Sequence, residues 1–533
     1  DIYSIDAVGS FNYLYFHMEK AQKMTRPNIL FITADQHRAD CLGIEGRKIK
    51  TPHLDQLARQ GTRFNAAITT CVICQPARAS ILTGQLPRTH GVHDNGIDLV
   101  PEIGEAGFAG TLAKAGYDTA YFGKAHFSTY HTFAEEGTGT PECLKSSANY
   151  PEGWNGPYMG FEHVEMMLVG HNWFLPEKPP QGQHDERWYH KNGRGEALNA
   201  LYLENGKDTK GAAQTWHSKL PVALHNSTWT ADRAISWLAE AARADTPFCT
   251  WISFPDPHHP FDAPEPWSYL HDPAEVDLPA HRKRKFDGRP WWHEQVLTAE
   301  PTGTKKNAET RKAYSRIAEQ SDAQLREIIA NTYGQIALID HQVGRILEAL
   351  EDQGLAENTI IIYSSDHGDW LGDHGLVLKG PMHYEGLLRV PLIMRGPNID
   401  AGRVCEEPVS TLDLSATFMD YAATSPQLDQ HGKSLRPVLE NGETRLFALN
   451  EWELLPTRAG VALSLQTVRT KSAKMTIDAL SGTGELYVLS EDPDELVNQF
   501  GNPDYTELKA ELMAMIESRP EDRREIQKQV GMA

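Results

Sequence analysis

The sequence predicts an α/β fold: a mostly parallel central sheet with helices on both faces, plus a small C-terminal α+β subdomain with an antiparallel sheet. Three observations carry that prediction. Short apolar, β-rich runs alternate with helical segments, each run leads into a polar cluster, and from about residue 445 the pattern changes to closely spaced short strands. Unbroken apolar runs suit strands covered on both faces, and strands alternating with helices suit a parallel sheet.

Taken in order, residues 27–33 (PNILFIT) form a buried strand ending at Asp35. Residues 51–62 follow as a helix, with Leu54, Leu57 and Ala58 on one face and Gly61 as its stop. A helix from residue 74 has Pro76 in its first turn, where the missing N–H costs nothing, and Gly84 as its exit. Residues 119–122, 248–254 and 359–364 are further buried strands. A long helix over 324–350 joins the last two, with Ile328, Ile336, Ile339, Val343, Ile346 and Leu350 as its apolar stripe. Between them, 130–310 is irregular, and ten of the twelve tryptophans lie between 154 and 292, which suits a pocket wall, core packing or a homo-oligomer interface alike. At the C-terminal end, 461–465, 467–471, 474–477 and 485–489 read as antiparallel strands and 506–518 as a helix. The expected division is a main α/β domain over 18–444, carrying the 130–310 insertions, and a subdomain over 445–533. Residues 1–17 resemble a protease-tag remnant ahead of a native start at Met18 or Met24.

With 51 Lys+Arg against 72 Asp+Glu, the net charge is −21. That balance disfavours nucleic acid and anionic membranes as partners, since both need a basic footprint. The one basic cluster, residues 281–285, reads as a solvated loop. No apolar stretch reaches the roughly 18 residues of a membrane span. Six cysteines in 533 residues are too few for a disulfide framework. The first 23 residues lack a basic segment leading into an apolar core, so a cytoplasmic location is expected.

Candidate chemistry clusters at strand ends, where open α/β sheets place their ligands. Asp35 and Gln36 follow the first strand, Asp366 and His367 the 359–364 strand, Lys124 and His126 a third, and His258 a fourth. Lys379 lies thirteen residues beyond Asp366. Cys74 sits where free N–H groups and the helix dipole converge on an anion, a suitable place for a nucleophile. It has competing readings as a small buried hydrophobe, or as half of a redox C-x-x-C with Cys71.

Cys74-Gln-Pro-Ala-Arg78 resembles the Cys-x-Pro-x-Arg signature of the sulfatase family. The order and spacing of Asp35, Lys124, His126, His258, Asp366, Lys379, residues 389–393, residues 486–489 and Asn498 extend the resemblance along the chain. It implies an alkaline-phosphatase-like fold and conversion of Cys74 to formylglycine by a formylglycine-generating system. It also implies one divalent cation held by Asp35, Gln36, Asp366 and His367 beside residue 74. By the same analogy, a hydroxyl of the aldehyde hydrate attacks sulfur, the alcohol leaves, and the second hydroxyl collapses to release sulfate. Arg78 and Lys124 would orient the nucleophile and neutralise the anion, His126 would assist the collapse, and His258 and Lys379 would contact the sulfate and protonate the leaving oxygen. Asp40, His90, His93, Asn95, His259, His374 and His383 are further polar residues able to shape the pocket.

Two positions depart from the family pattern. Many sulfatases carry Asp at position 36 and Asn at 367; Gln36 and His367 resemble instead the formylglycine-dependent phosphonate monoester hydrolases. Oxygen-only shells suit calcium and an imidazole suits manganese, zinc or iron; calcium and manganese are the leading candidates. The leading expectation is hydrolysis of a small-molecule sulfate ester of arylsulfatase type. A phosphonate monoester or phosphodiester hydrolase on the same site is the second, and a non-catalytic sulfate-ester or sugar-binding protein the third.

Overall fold

The computed structural model describes residues 26–168 and 176–532. The tag-like segment and both candidate start residues lie outside the described residues, as does Trp173. Fourteen strands are present among the described residues. They are β1 Asn28–Ala34, β2 Thr62–Phe64, β3 Ala67–Ile68, β4 Asp118–Lys124, β5 His163–Met167, β6 Phe248–Phe254 and β7 Thr359–Ser365. After these come β8 Leu392–Arg395, β9 Arg403–Cys405, β10 Val409–Ser410, β11 Phe447–Leu454, β12 Leu463–Thr470, β13 Ala473–Asp478 and β14 Gly484–Val488.

Eight strands form the main sheet in the order β5-β4-β6-β1-β7-β8-β2-β9. Its first five are parallel, and β8 alone runs against both neighbours. The ladder β4-β6-β1-β7 is in register from Asn28 opposite Thr359 to Ala34 opposite Ser365, so these strands finish together at one edge. Alternation along β1 divides the core. Ile29 and Phe31 face one side, with Trp251, Ile360 and the helices Cys74–Thr83, Phe108–Lys114 and Asp413–Tyr421. Leu30 and Ile32 face the other, with Phe122, Ile361 and the helices Pro52–Gln60, Asn226–Ala241 and Asp322–Asp352. The long helix is tied at its start by a capping box between Ser321 and Gln324.

The second sheet is antiparallel, β11-β12-β13-β14, with the helix Thr506–Glu517 on one face. Here the sequence reading needs correction. The segments 461–465 and 467–471 are one strand, β12, because Gln466 pairs with Glu451 and Ile477 in the ladder and makes no turn. The fourth strand is β11, whose mixed polar sequence masks it. The basic run 281–285 is also more than a solvated loop. Arg282 bridges to Asp322, Arg284 donates to the carbonyls of Gly375 and Ile317, and His281 faces Asp373. No described helix is long and apolar enough to cross a membrane.

Candidate active site

The common edge of the parallel strands gathers the strand-end residues. Asp35 and Gln36 follow β1, Lys124 ends β4, and Asp366 and His367 follow β7. Asp35 N–H donates to the carbonyls of Phe254 and Asp256, which locks the β1 exit onto β6. Gln36 and His126 adopt left-handed backbone, φ 68° and 56°, a strained state for a side chain that costs about 1–3 kcal/mol and clusters at functional sites. Gly123 is required beside Lys124: its φ is 97°, and a Cβ there would lie 2.1 Å from the Ser253 carbonyl oxygen.

Cys74 opens the helix Cys74–Thr83, which Gly84 ends with φ 70° and an N–H donated to the Ser80 carbonyl. Ligand atoms of Asp35, Cys74, Asp366 and His367 all lie within 4.8 Å of one another, fully buried. Arg78 spans the two carboxylates, with Nε donating to Asp366 (2.9 Å) and Nη2 to Asp35 (3.3 Å). Its Nη1 donates to the Lys124 carbonyl and to Ser253 Oγ, both at 2.8 Å. Lys124 Nζ reaches Asp35 Oδ2 at 2.5 Å. Lys379 Nζ lies 2.8 Å from Cys74 Sγ, 2.9 Å from His258 Nε2 and 3.1 Å from His367 Nε2.

Three cations against two carboxylates set the electrostatics. Burial and Asp35 push the Cys74 thiol up, but Lys124, Lys379 and His367 outweigh them and hold it well below its ordinary range. Burial also opposes the Asp35 charge, yet Lys124, Arg78 and Lys379 keep its carboxyl well below the carboxylate range. Burial, with Asp35 nearby, raises Asp366 instead. The His126 imidazole is pulled down to about 4, chiefly by burial, with Cys74 opposing the shift.

The residues fit a divalent cation. His367 donates Nδ1–H to the Gly368 carbonyl (2.8 Å), leaving the Nε2 lone pair towards Cys74 and Asp35, the arrangement of a metal-ligating histidine. Gln36 N–H donates to Asp366 Oδ1, its Nε2 donates to Asp369 at 2.5 Å, and its Oε1 is buried without a partner. An orphaned amide oxygen, two carboxylates and an imidazole form a coherent donor set.

Above Cys74 opens a cavity of about 200 Å³, which Lys124, His126, His258 and Lys379 also line. Of the seven unassigned candidates, Asn95 and His259 line it. Asp40 and His374 belong instead to a different cavity, where Arg38 and Arg47 hold Asp40. His90 bonds Ser80, His93 meets the Gln527 carbonyl, and His383 bonds Thr467. Sequence reasoning missed Ser253 and Asp369, which hold Arg78 and Gln36, and the wall formed by Trp370, Trp452 and Arg311. Proximity to a strand end could have found Ser253; nothing local marks the wall. All six cysteines are unpaired and buried, so Cys71 and Cys74 form no disulfide.

Residues 27–424 match the family model for sulfatases. The chain belongs to the sulfatase family. Residues 372–522 also match the model of the N-sulphoglucosamine sulphohydrolase C-terminal region. The protein is 29% identical over 519 residues to an arylsulfatase of Clostridium perfringens, covering 93% of this chain and 95% of that one. It is 30% identical over 430 residues to the multifunctional alkaline phosphatase superfamily protein PehA of Trinickia caryophylli, covering 79% and 78%. Among solved structures, the phosphonate monoester hydrolase of Agrobacterium radiobacter superposes with a TM-score of 0.73 at 27% identity, over 92% of this chain and 95% of that one. The sulfatase is thus a sulfuric ester hydrolase on the alkaline-phosphatase-like fold.

Proposed function

We propose that this sulfatase hydrolyses organic sulfate monoesters of arylsulfatase type, with residue 74 acting as formylglycine and Asp35, Gln36, Asp366 and His367 holding one divalent cation, manganese or calcium. The carrying observation is the meeting of Cys74, two carboxylates and His367 within 4.8 Å, on the floor of a cavity that Lys124 and Lys379 make cationic. When present, the cation polarises the ester oxygens and the aldehyde hydrate supplies the attacking hydroxyl. The remaining work belongs to ordinary side chains. Arg78 holds Asp35 and Asp366 in fixed relation, and Lys124 neutralises charge beside them. Lys379 and His258, 2.9 Å apart, are placed to hold the sulfate and pass a proton to the leaving oxygen. His126, neutral at pH 7, can accept the proton released when residue 74 returns to the aldehyde.

The test joins mass and turnover. Active protein should contain a residue-74 peptide about 18 Da lighter than the thiol form, since CH₂SH becomes CHO. Cys74→Ala and Cys74→Ser should fold normally and lose turnover by about 10³-fold or more. Full activity in protein whose Cys74 is entirely thiol overturns the proposal.

A second reading, phosphonate monoester or phosphodiester hydrolysis at the same site, is favoured by one feature. The Gln36/His367 pair removes a negative charge and adds a nitrogen donor relative to an Asp/Asn shell. Matched aryl sulfate and aryl phosphonate esters, assayed after reconstitution with calcium, magnesium, manganese or zinc, separate the two by kcat/KM. Calcium-only activity with no phosphonate cleavage would leave the sulfatase reading alone.

A further inference from the structure

The cavity above Cys74 has a charge pattern opposite to that of the whole molecule. The chain carries 72 acidic and 51 basic residues, yet five Lys or Arg side chains and no Asp or Glu are among the described residues lining this cavity. Lys124 and Lys379 stand at the nucleophile. The other three are arginines with no part in the chemistry above: Arg311 on the helix Lys305–Ser315, Arg316 just after it, and Arg458 on the turn Pro456–Ala459.

These arginines are not equivalent. Arg458 pairs with Asp94 at 3.2 Å and lies over the Trp452 ring. Arg316 donates to the Ala459 carbonyl at 3.1 Å; burial lowers its guanidinium, with Glu300 opposing. Arg311 donates one Nη2–H to the Met532 carbonyl at 2.7 Å, its buried Nε has no partner, and it makes no ion pair among the described residues. Burial, then Arg458, pulls the Arg311 guanidinium down to about 9, and Asp94, already paired with Arg458, opposes this only in part. A guanidinium keeps its charge at neutral pH, so an under-compensated cation persists in the wall. The lining also carries a large apolar share, including Leu297, Trp370, Trp452 and Leu454. The cavity volume of about 200 Å³ lies below the roughly 300–1,000 Å³ usual for larger ligands, so one ring fits better than a chain of them.

We infer that the alcohol released by this enzyme is a single apolar ring bearing a second anionic substituent, such as a carboxylate, which Arg311 receives while the ester lies at residue 74. The ester end of this assignment rests on the hydrolase reading above; the anion end rests on the wall. An alcohol bearing a quaternary ammonium is disfavoured, because no carboxylate lines the cavity and, although Asp35 and Asp94 pair Lys124 and Arg458 from behind, Arg311 and Lys379 make no ion pair among the described residues.

Binding and turnover test the two ends separately. Benzylsulfonates serve as probes, since their C–S bond is not an ester and is not hydrolysed. Calorimetry on the full chain with its metal compares the unsubstituted compound with analogues bearing a meta or para carboxylate, or a trimethylammonium group. A carboxylate analogue should bind about 10–100-fold more tightly than the parent, and the ammonium analogue more weakly. Arg311→Gln should abolish the carboxylate preference, and Arg311→Lys should restore part of it. Should Arg311→Gln not fold, the wild-type series and Arg316→Gln decide instead. Equal affinity for carboxylate and parent, or a preference that survives Arg311→Gln, overturns the inference. The matching aryl sulfates are assayed on the same samples. Carboxylate preference without turnover of any ester would overturn the hydrolase reading and leave the wall assignment standing. Turnover without preference would do the reverse.

Discussion

The floor of the cavity and its outer wall are built by opposite means. The floor comes from the last residues of neighbouring parallel strands, whose ends the β4-β6-β1-β7 ladder aligns. Its ions answer one another at short range: Arg78 alone holds Asp35, Asp366, Ser253 and the Lys124 carbonyl. The wall is assembled from positions far apart in the chain, including Leu297, Arg311, Trp370, Trp452 and Met532, and it retains an unpartnered guanidinium nitrogen at Arg311. The contrast teaches that the floor groups are fixed by ladder geometry, whereas the wall depends on how separate segments pack around them.

The sharpest way to break that contrast is to remove its central ion. Arg78→Met should leave Asp35 and Asp366 buried without their shared partner, at a cost of about 3–5 kcal/mol in stability. Turnover of an aryl sulfate should fall about 10²–10³-fold. Chemical denaturation and steady-state kinetics check both, and an unchanged unfolding midpoint would show that the floor is less tightly coupled than its hydrogen bonds indicate.

Removing a proposed ligand should act more narrowly. Asp366→Asn should weaken metal binding by more than the roughly 10–100-fold typical of losing an outer partner, with activity falling in parallel. Asp369→Asn, which replaces the carboxylate that orients Gln36 and keeps an oxygen for the Leu371 and Leu378 N–H groups, should stay within that range. Titration calorimetry with manganese and calcium measures the difference. Equal losses in the two variants would refute the separate roles given to them.

A wall substitution should change less. Leu297→Ala should raise KM by under about tenfold and leave kcat within about twofold, because it removes binding shared by ground state and transition state. A large fall in kcat would mean that wall and floor are coupled after all.

A further expectation is acid sensitivity, which acts only below the working pH and concerns the scaffold around the two regions. Burial pulls His90 and His383 down to about 3, against about 6.5 in an unfolded chain. As pH falls from about 6.5 towards 3, the unfolded chain takes up protons that these folded histidines refuse, so stability is lost over that window. Calorimetry should show Tm declining across it, and His383→Gln should flatten the slope. An unaltered slope would place the acid sensitivity elsewhere.

Much of the floor was legible in the sequence because its strand-end residues sit just past recognisable apolar runs. Asp35 after β1 and Asp366 after β7 are placed by local pattern plus the rule that parallel strands finish at one edge. Cys74 and Arg78 are four residues apart, so one helical turn carries both. β11 was not legible: the sequence of Phe447–Leu454 mixes Asn450 and Glu451 with apolar residues, and its pairing depends on β12. Histidines such as His90 and His383 gave no sign of facing Ser80 and Thr467 instead of the cavity.

By itself, then, the sequence determined the α/β class, the strand-end polar residues and the helix that begins at Cys74, since these follow from local periodicity and short spacings. Only the tertiary structure decided that Lys379 would reach Cys74 across 305 positions, that Gln36 would spend its amide nitrogen on Asp369, and that Arg311 would line the cavity opened above residue 74. The physical reason is common to all three. A side chain's neighbours across a sheet edge or an insertion are set by how whole elements pack, and packing minimises exposed apolar surface and unpaired buried charge over the entire chain at once.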